Sequence, residues 1–457
     1  MFHGGIYPDT AARGSLGHLT IGGCDVTDLA AEFGTPLYVY DEQTLRGSCR
    51  AYKEALAEAY PDSEVIYASK ALSCRAMCEL VGQEGLSLEV SSGGELMVAL
   101  LAGFPTERIY FHGNYKTLEE IEFGMDAGVG HFMLDSFEEI DRVAARAAAR
   151  GLRQPVLVRI TPGIAAKTHK AMTTGHSESK FGFTLQGGRA TEAVRRVLAS
   201  PHLRLDGVHM HIGSQIFELG SYVRAVRTLC AALAQWRTEL GFECRLLDVG
   251  GGLGIRYTSA DGPAPTVRRW VRTVAAAVDR GLARHALPRP RLMVEPGRSI
   301  AGRAGVTIYG VGLVKNLPSG TTFVTVDGGM SDNMRPALYG TRYEPALANK
   351  IDAPPIGRVT IAGRHCESGD ILVEDTPLAA AEPGDILVLP VTGAYCYSLS
   401  NNYNGQPRPA VVTVRDGRAR VIVERETWSD VVRLQRSLCD GERDDCRAPA
   451  DEVAATV

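Results

Sequence analysis

A lysine at the end of an apolar run is the first residue whose position suggests chemistry rather than packing. The run Val65-Ile66-Tyr67-Ala68-Ser69-Lys70-Ala71 predicts a buried strand of about six residues with Lys70 at its carboxyl end. Burial disfavours the charged form of an amine, and a neutral amine can condense with an aldehyde. For Lys70 alone, an ion pair with a nearby carboxylate is the alternative interpretation.

A glycine run follows another apolar strand. Gly250-Gly251-Gly252-Leu253-Gly254 comes directly after Leu246-Leu247-Asp248-Val249. Glycines let backbone N–H groups approach and surround a phosphate. Ile255 stands where the dinucleotide fingerprint has its last glycine, and no Gly-Lys-Ser/Thr follows, so neither nucleotide motif is present. A tight turn is the simpler interpretation of the run by itself.

Two further predicted strands end in ionisable side chains. Glu295 follows Arg291-Leu292-Met293-Val294 and begins the motif Glu295-Pro296-Gly297-Arg298. A partly desolvated carboxylate needs a cationic or N–H partner, and an internal pair with Arg298 is one way to provide it. His209 and His211 would face the same side of their strand, where one could lie flat beside a ring or serve as a core histidine.

These features match the needs of pyridoxal 5′-phosphate if they lie on one rim. A lysine forms the Schiff base, backbone N–H groups hold the phosphate, and a carboxylate keeps the pyridine nitrogen protonated so that the ring accepts electrons. An imidazole can lie against the ring. The fold must therefore bring several strand ends together.

The elements that would position these residues alternate regularly. Strands are predicted at 64–69, 86–91, 108–112, 131–135, 155–160, 205–211, 245–249 and 291–295, and helices at 73–83, 93–103, 117–127, 136–150, 189–199, 218–240 and 266–286. Eight strands and their helices over about 250 residues are typical of a (β/α)8 TIM-like barrel. A doubly wound open sheet is the alternative. The strand-end positions of Lys70, Ser91, His112, Arg159, His211, Gly250 and Glu295 favour the barrel, whose active sites form at that rim.

After Arg298 the helical periodicity largely disappears, and short β-like runs separated by turn signals predict an all-β domain. We therefore predict a leading segment over 1–35 that packs with the β domain and a barrel over 36–300. The all-β domain follows over 301–435, and 436–457 form a disordered tail.

Composition excludes several classes of protein. The 457 residues are 45% hydrophobic and 22% charged, with a net charge of −4, which gives no electrostatic footprint for nucleic acid or an anionic membrane. No apolar run approaches the roughly 20 residues that cross a bilayer, and the first residues do not have the order of a signal peptide. The ten cysteines form no CxxC pair and no zinc pattern, so no metal site is predicted. A cytoplasmic enzyme is expected.

Several motifs, in collinear order from about 25 to 432, resemble those of the barrel-type pyridoxal-phosphate decarboxylases, whose fold is that of alanine racemase. Within that group the sequence is most similar to the diaminopimelate decarboxylases. The motifs are Tyr67-Ala68-Ser69-Lys70-Ala71, Thr174-Gly175 with Ser179-Lys180-Phe181-Gly182, His209-Met210-His211-Ile212-Gly213-Ser214-Gln215, Asp248-Val249-Gly250-Gly251-Gly252, Glu295-Pro296-Gly297-Arg298, Arg335-Pro336-Ala337-Leu338-Tyr339, His365-Cys366-Glu367-Ser368-Gly369-Asp370, Gly393-Ala394-Tyr395 and Asn401-Asn402-Tyr403-Asn404.

The resemblance implies a role for each matched residue. Lys70 would form the Schiff base and Cys366 would reprotonate the substrate, as the two catalytic residues. The implied cofactor-binding residues are Lys70, His211, Ser214, Gly250, Gly251, Gly252, Glu295, Gly297, Arg298 and Tyr395. The implied substrate-binding residues are Arg298, Arg335, Tyr339, Glu367 and Tyr395. In this family the residues matching Cys366 and Glu367 come from the second subunit, so a homodimer with its sites at the interface is implied.

The expected reaction is the conversion of meso-2,6-diaminopimelate to L-lysine and carbon dioxide, the last step of lysine biosynthesis. Two arginines suit a substrate with a distal carboxylate, because the guanidinium group binds carboxylates in bidentate fashion. Alternatives are a decarboxylase of a modified or carrier-bound diamino acid, or of ornithine, arginine or carboxynorspermidine. A non-catalytic cofactor-binding regulator and an amino-acid racemase are others. Tyr115 and Met210, near the rim, differ from the residues that the family usually has at these positions and could change the substrate preference.

Overall fold

The computed structural model describes residues 5–164, 179–436 and 438. The predicted tail beyond residue 438 and the Thr174-Gly175 motif lie outside these residues. Three short strands, β1 (Ala12–Arg13), β2 (Leu19–Ile21) and β3 (Cys24–Asp25), form a small antiparallel sheet that leads into helix α1 (Val26–Phe33). Strand β4 (Leu37–Asp41) and helix α2 (Glu42–Ala59) follow. Asp41 caps α2 by accepting the Thr44 N–H, which explains why the helix begins directly after the strand.

Eight parallel strands then form a closed barrel, as the sequence predicted. They are β5 (Ser63–Ala68), β6 (Ser87–Val90), β7 (Ile109–Phe111), β8 (His131–Leu134), β9 (Gln154–Thr161), β11 (Leu203–His209), β12 (Leu246–Asp248) and β13 (Arg291–Val294), with a short β10 (Phe183–Thr184) beside β9. The pairing of β8 with β9 and of β13 with β5 closes the ring and excludes the open sheet.

Helices surround the barrel. They are α3 (Arg75–Gln83), α4 (Gly93–Leu101), α5 (Leu118–Asp126), α6 (Phe137–Ala149), α7 (Arg189–Ala199), α8 (Gly220–Leu240), α9 (Val267–Arg284) and the one-turn α10 (Arg298–Ala301). The strands are apolar on both faces because one face meets these helices and the other fills the barrel. Ile66, Leu157 and Met293 belong to the small interior cluster. Among the described residues, no helix combines the length and apolarity needed to cross a membrane.

The second domain is mainly β structure. Its strands are β14 (Gly305–Asn316), β15 (Thr322–Val326), β16 (Ala346–Leu347), β17 (Gly357–Ala362), β18 (Ile371–Leu378), β19 (Ile386–Pro390), β20 (Ala410–Arg415) and β21 (Arg418–Val423), with short helices α11 (Arg335–Tyr339) and α12 (Trp428–Val432). The main sheet has the order β18-β17-β15-β14-β4-β20-β21, and β19 also pairs with β14. Leu19 and Val26 of the leading segment pack in the core of this sheet.

Strand β4 lies in this sheet, although the predicted barrel range of 36–300 included it. It pairs with β14 and β20, which are distant in sequence. Its side chains pack alternately into the two domains. Leu37 and Val39 face the core of the β domain, whereas Tyr38 and Tyr40 face the barrel core. The barrel therefore takes its first strand from β5.

Candidate active site

The carboxyl ends of the barrel strands form one cleft, which collects most of the predicted site residues. It is lined by Lys70, His211, Ser214, Gly252, Glu295, Gly297, Arg298 and Tyr395, together with Ala68, Leu253 and Ser299. Lys70 follows β5 in a single turn of 3-10 helix, and Glu295 directly follows β13. Because β13 pairs with β5, the ends of these two strands are neighbours across the closing seam of the barrel.

Lys70 forms an ion pair rather than a neutral amine in this structure. Its Nζ atom donates a hydrogen bond to Glu89 on β6 at 2.5 Å. Burial alone would lower the pKa of Lys70, but the negative charges of Glu89 and Glu295 outweigh that effect and the pKa is raised. The ion pair with a nearby carboxylate, the alternative interpretation of Lys70 in the sequence, is therefore the arrangement observed. The Lys70 side chain is nevertheless 46% exposed in the cleft, where a ligand can reach it.

Glu295 is held by two imidazoles instead of by Arg298. His209 Nε2 donates to Oε2 at 3.0 Å, and His112 Nε2 lies 2.9 Å from Oε1. Burial would raise the pKa of Glu295, but the two histidines outweigh it and the pKa falls well below its usual range. Burial lowers the pKa of His209 to about 4, so this imidazole is neutral and serves as an N–H donor. The result is a fully buried carboxylate that stays ionised.

Three features around Glu295 were absent from the predicted site. The sequence places His112 at a strand end but indicates no role for it, and Glu89 and Asp248 lie inside apolar strands. Asp248 is completely buried, its Oδ1 accepts the Gly250 N–H at 2.8 Å, and burial together with Glu295 raises its pKa well above the usual value. Ligand atoms of His112, His209 and Glu295 lie within 4.8 Å of one another, a spacing that a metal ion could bridge, whereas the sequence predicted no metal.

The glycine turn packs against both His211 and Glu295. The Gly251 N–H donates to His211 Nδ1 at 3.3 Å, so this imidazole nitrogen is unprotonated. Burial, with Lys70 as the next cause, lowers the pKa of His211 well below its usual value. Gly252 has φ +96°, and a Cβ there would lie 2.1 Å from the Gly213 carbonyl oxygen, so only glycine fits. The turn thus brings bare backbone to the edge of the cleft.

Arginines and tyrosines form the wall of the cleft that leads toward the β domain. Arg298 donates to Ser214 Oγ at 3.0 Å, and its Cζ lies 4.7 Å from the ring centre of Tyr395. Arg335, at the start of α11, is only 2% exposed and lies 5.5 Å from the ring of Tyr339. Tyr395 has φ +63°, an uncommon conformation for a bulky residue, and its N–H donates to the Ala71 carbonyl beside Lys70.

Cys366 and Glu367 lie apart from the cleft within the single chain. Both are exposed on the loop between β17 and β18, and neither lines the cleft around Lys70. The loop is nevertheless well anchored. His365 Nδ1 pairs with Asp370 at 2.8 Å, and the Cys366 N–H donates to Asn404 Oδ1 at 2.9 Å.

The residues of the cleft fit a pyridoxal phosphate. Glu295 Oε1 is buried, lies 2.9 Å from His112 Nε2 and accepts no hydrogen bond within the described ranges, and this oxygen belongs to an ionised carboxylate. The same cleft contains an accessible amine at Lys70, a neutral imidazole at His211, and the cation and hydroxyl of Arg298 and Ser214 beside a glycine turn. These are the groups that a pyridine ring, an aldehyde and a phosphate require.

Comparison with known proteins agrees with this site. Residues 43–302 match the family model described as the pyridoxal-binding domain of pyridoxal-dependent decarboxylases. Fold and site together therefore define a barrel-type pyridoxal-dependent decarboxylase. The diaminopimelate decarboxylase of Halalkalibacterium halodurans is 47% identical over 96% of this chain and 98% of its own length. That of Mycobacterium tuberculosis is 44% identical over 94% and 97%.

A solved structure agrees over a similar range. The diaminopimelate decarboxylase of M. jannaschii, in co-complex with L-lysine, has a TM-score of 0.85 and 34% identity, covering 94% of this chain and 97% of that one. The chain belongs to the diaminopimelate decarboxylase family.

Proposed function

We propose that this protein decarboxylates meso-2,6-diaminopimelate to L-lysine and carbon dioxide with pyridoxal phosphate as cofactor. One observation carries the proposal. A single cleft holds an accessible lysine and an ionised glutamate, and the wall beside it contains a buried arginine with no acidic partner among the described residues. The first two groups suit the cofactor, and the arginine suits a second carboxylate on the substrate.

The residues that would hold the cofactor follow from the geometry. Lys70 would bind its aldehyde and Glu295 its pyridine nitrogen. His211 would lie against the ring, and Ser214, Arg298 and the glycine turn 250–252 would bind the phosphate. When bound, this cofactor accepts the electrons left behind as the carbon–carbon bond to the departing carboxylate breaks. The contacts of His112 and His209 keep Glu295 ionised, which is the state that the role requires.

Arg335 supports a substrate that carries a distal carboxylate. Its side chain is almost fully buried, and its Nε has no hydrogen-bond partner within the described ranges. A buried charge without a counter-charge is unfavourable, so this site favours an anionic ligand. Ornithine, arginine and carboxynorspermidine present cationic tails, which two arginines would repel. Tyr339 and Arg298 would complete the carboxylate site.

The two residues that differ from the usual family sequence give no support to a modified substrate. Met210 is completely buried, and Tyr115 is 64% exposed, with Arg142 over its ring. Neither side chain lines the cleft.

We further infer a homodimer in which each chain completes the other's cleft. Cys366 and Glu367 are exposed on an anchored loop, which is the arrangement expected of residues that enter a partner's site. Cys366 Sγ would return a proton to the carbon that loses carbon dioxide, because a weakly acidic thiol can donate near neutral pH. Glu367 would take the distal ammonium group of the substrate.

The test is carbon dioxide release by the purified protein. We expect turnover of meso-diaminopimelate, and little or none of its LL isomer, lysine, ornithine or arginine. Lys70→Ala should lose both the activity and the visible absorbance of the bound cofactor. Preferred turnover of ornithine or arginine would overturn the substrate assignment, and an active Lys70→Ala variant would overturn the role of the lysine.

A further inference from the structure

Tyr257 lies between the two arginines, and no role was predicted for it. It is 6% exposed, and its hydroxyl accepts a hydrogen bond from Arg298 Nη1 at 2.5 Å. The centre of its ring is 5.9 Å from Arg298 Cζ and 5.3 Å from Arg335 Cζ. One buried aromatic ring therefore contacts both guanidinium groups.

Tyr395 provides a second ring between the same two cations. Its centre lies 4.7 Å from Arg298 Cζ and 5.8 Å from Arg335 Cζ. Two guanidinium groups repel each other, and the negative faces of aromatic rings offset that repulsion when cations lie over them. Arg335 has no acidic partner within the described ranges, so its neighbours are neutral: the rings of Tyr257, Tyr339 and Tyr395, and Thr341 Oγ1, which accepts a hydrogen bond from Nη2 at 3.3 Å.

Tyr257 lies beside the cleft around Lys70, in an adjoining cavity. Arg298 and Tyr395 line the cleft around Lys70, whereas Tyr257, Arg335 and Tyr339 line an adjoining cavity of about 640 Å³. Tyr257 therefore stands where a substrate that reacts at Lys70 would extend its far end.

We propose that Tyr257 is a positioning residue that fixes Arg298 and Arg335 for recognition of the distal carboxylate. It thereby determines the preference for ligands that carry this carboxylate. The inference rests on the proposed function, since it takes these two arginines as the carboxylate-binding pair. Its physical basis is preorganisation, because long arginine side chains otherwise lose conformational freedom when a ligand binds.

Two substitutions separate the contributions of the ring and the hydroxyl. Tyr257→Phe keeps the aromatic ring beside both arginines and loses only the hydrogen bond from Arg298. Tyr257→Leu loses both. The affinity for L-lysine should therefore fall further in the leucine variant.

The experiment compares L-lysine with cadaverine, which differs only in lacking the carboxylate. L-lysine is the product of the proposed reaction, and its α-carboxylate is the former distal group. We expect calorimetry on the holoenzyme to show that Tyr257→Phe weakens L-lysine binding by about 3- to 10-fold and Tyr257→Leu by about 10- to 100-fold. Cadaverine binding should change by less than about 2-fold, because it makes no carboxylate contact. KM for diaminopimelate should rise more than kcat falls.

Tyr60→Phe is the matched control. Tyr60 is also buried, donates its hydroxyl to the Pro290 carbonyl at 2.8 Å, and has Arg289 over its ring at 3.7 Å. It lies at the opposite end of the barrel, so this variant should bind both ligands like the wild type. Thermal melting shows whether each variant is folded. If Tyr257→Leu does not fold, the Tyr257→Phe variant alone tests the role of Tyr257.

The outcomes separate the role of Tyr257 from the identity of the carboxylate-binding pair. If the wild type binds L-lysine no better than cadaverine, the carboxylate-binding pair is wrong and the proposed substrate falls with it. If the wild type prefers L-lysine and Tyr257→Phe and Tyr257→Leu keep that preference in full, only the role of Tyr257 is overturned.

Discussion

Replacing Glu89 with glutamine should make the Lys70 amine easier to deprotonate. The Glu89 carboxylate lies 2.5 Å from Lys70 Nζ, and only 3% of the glutamate side chain is exposed. Glutamine has nearly the same shape and no charge, so it preserves the packing of β6 and removes the anion that holds the proton on the amine. Glu295 remains and continues to favour the ammonium form.

The size of the effect follows from the exposure of the lysine. A hydrogen bond to a charged group contributes about 1.5–3 kcal/mol. Because the Lys70 side chain is 46% exposed, water screens the pair and the lower end of that range applies. One pKa unit corresponds to about 1.4 kcal/mol, so we expect the pKa of Lys70 to fall by about one unit. The neutral amine then becomes about tenfold more abundant at any pH well below that pKa.

The assay is the rate at which apoenzyme binds pyridoxal phosphate, followed by visible absorbance from about pH 6 to about pH 10. Only the neutral amine attacks an aldehyde, so the rising part of the profile should move down by about one pH unit in Glu89→Gln. Glu64→Gln is the control, because Glu64 lies at the other end of the barrel and accepts hydrogen bonds from Ser87 and Tyr110. A Glu89→Gln profile that coincides with that of the wild type would show that Glu89 does not hold the proton on Lys70.

Three other predictions concern the interface and the base of the barrel. Cys366→Ala should slow turnover while cofactor binding survives; unchanged kinetics would remove the thiol from the mechanism. An equal mixture of Lys70→Ala and Cys366→Ala proteins should recover about a quarter of the wild-type activity, because half of the dimers are mixed and each holds one complete site. No recovery after subunit exchange would contradict a shared site. Asp206 is buried, which would raise its pKa, but His131, Arg204 and Arg245 outweigh this and lower it to about 2. Its stabilisation is therefore present above about pH 4 and lost toward pH 2, so urea unfolding should find Asp206→Asn about 2 kcal/mol less stable at neutral pH, with the difference vanishing in acid. An equal difference at both pH values would argue against this linkage.

The barrel could be predicted because its strands and helices have strong local patterns. Each predicted strand overlaps its observed counterpart, for example 291–295 against Arg291–Val294. The sixth is shifted, since the prediction of 205–211 became Leu203–His209. His211 therefore lies beyond the strand, in the turn region that contacts Gly251. Local pattern fixes the type of an element better than its ends, because the final residues depend on tertiary contacts.

The assignment of β4 shows what local pattern lacks. Leu37-Tyr38-Val39-Tyr40 is buried on both faces and precedes a helix, just as a barrel strand would. Its membership of the β-domain sheet depends on pairing with β14 and β20, which are hundreds of residues away. No periodicity within the segment can reveal such partners.

The site was predictable at strand ends and not inside strands. Lys70 and Glu295 stand out because charged residues end apolar runs. Glu89 lies between Leu88 and Val90, and Asp248 lies between Leu247 and Val249. Both were therefore counted as parts of apolar strands and not as site residues. The available signal was the charge itself, because a buried carboxylate must be paired or protonated. Which of the two applies depends on neighbours that only the closed barrel supplies: Glu89 pairs with Lys70, whereas Asp248 lies against another carboxyl group.

Closure of the barrel is itself the step that assembles the chemistry. Lys70 follows the first barrel strand and Glu295 the last, so they become neighbours only because β13 pairs with β5. Beyond that pairing, the Ala68 N–H donates to the Pro296 carbonyl at 3.1 Å. Gly297 permits this approach, since a Cβ there would lie 3.0 Å from the Cβ of Ala68 and 3.1 Å from the Ala68 carbonyl oxygen. An open sheet with the same strands would leave the lysine and the glutamate on separate edges. The glycine assigned to the cofactor site by its motif thus acts first on the seam, by letting the two ends of the barrel meet closely enough for one ligand to contact both.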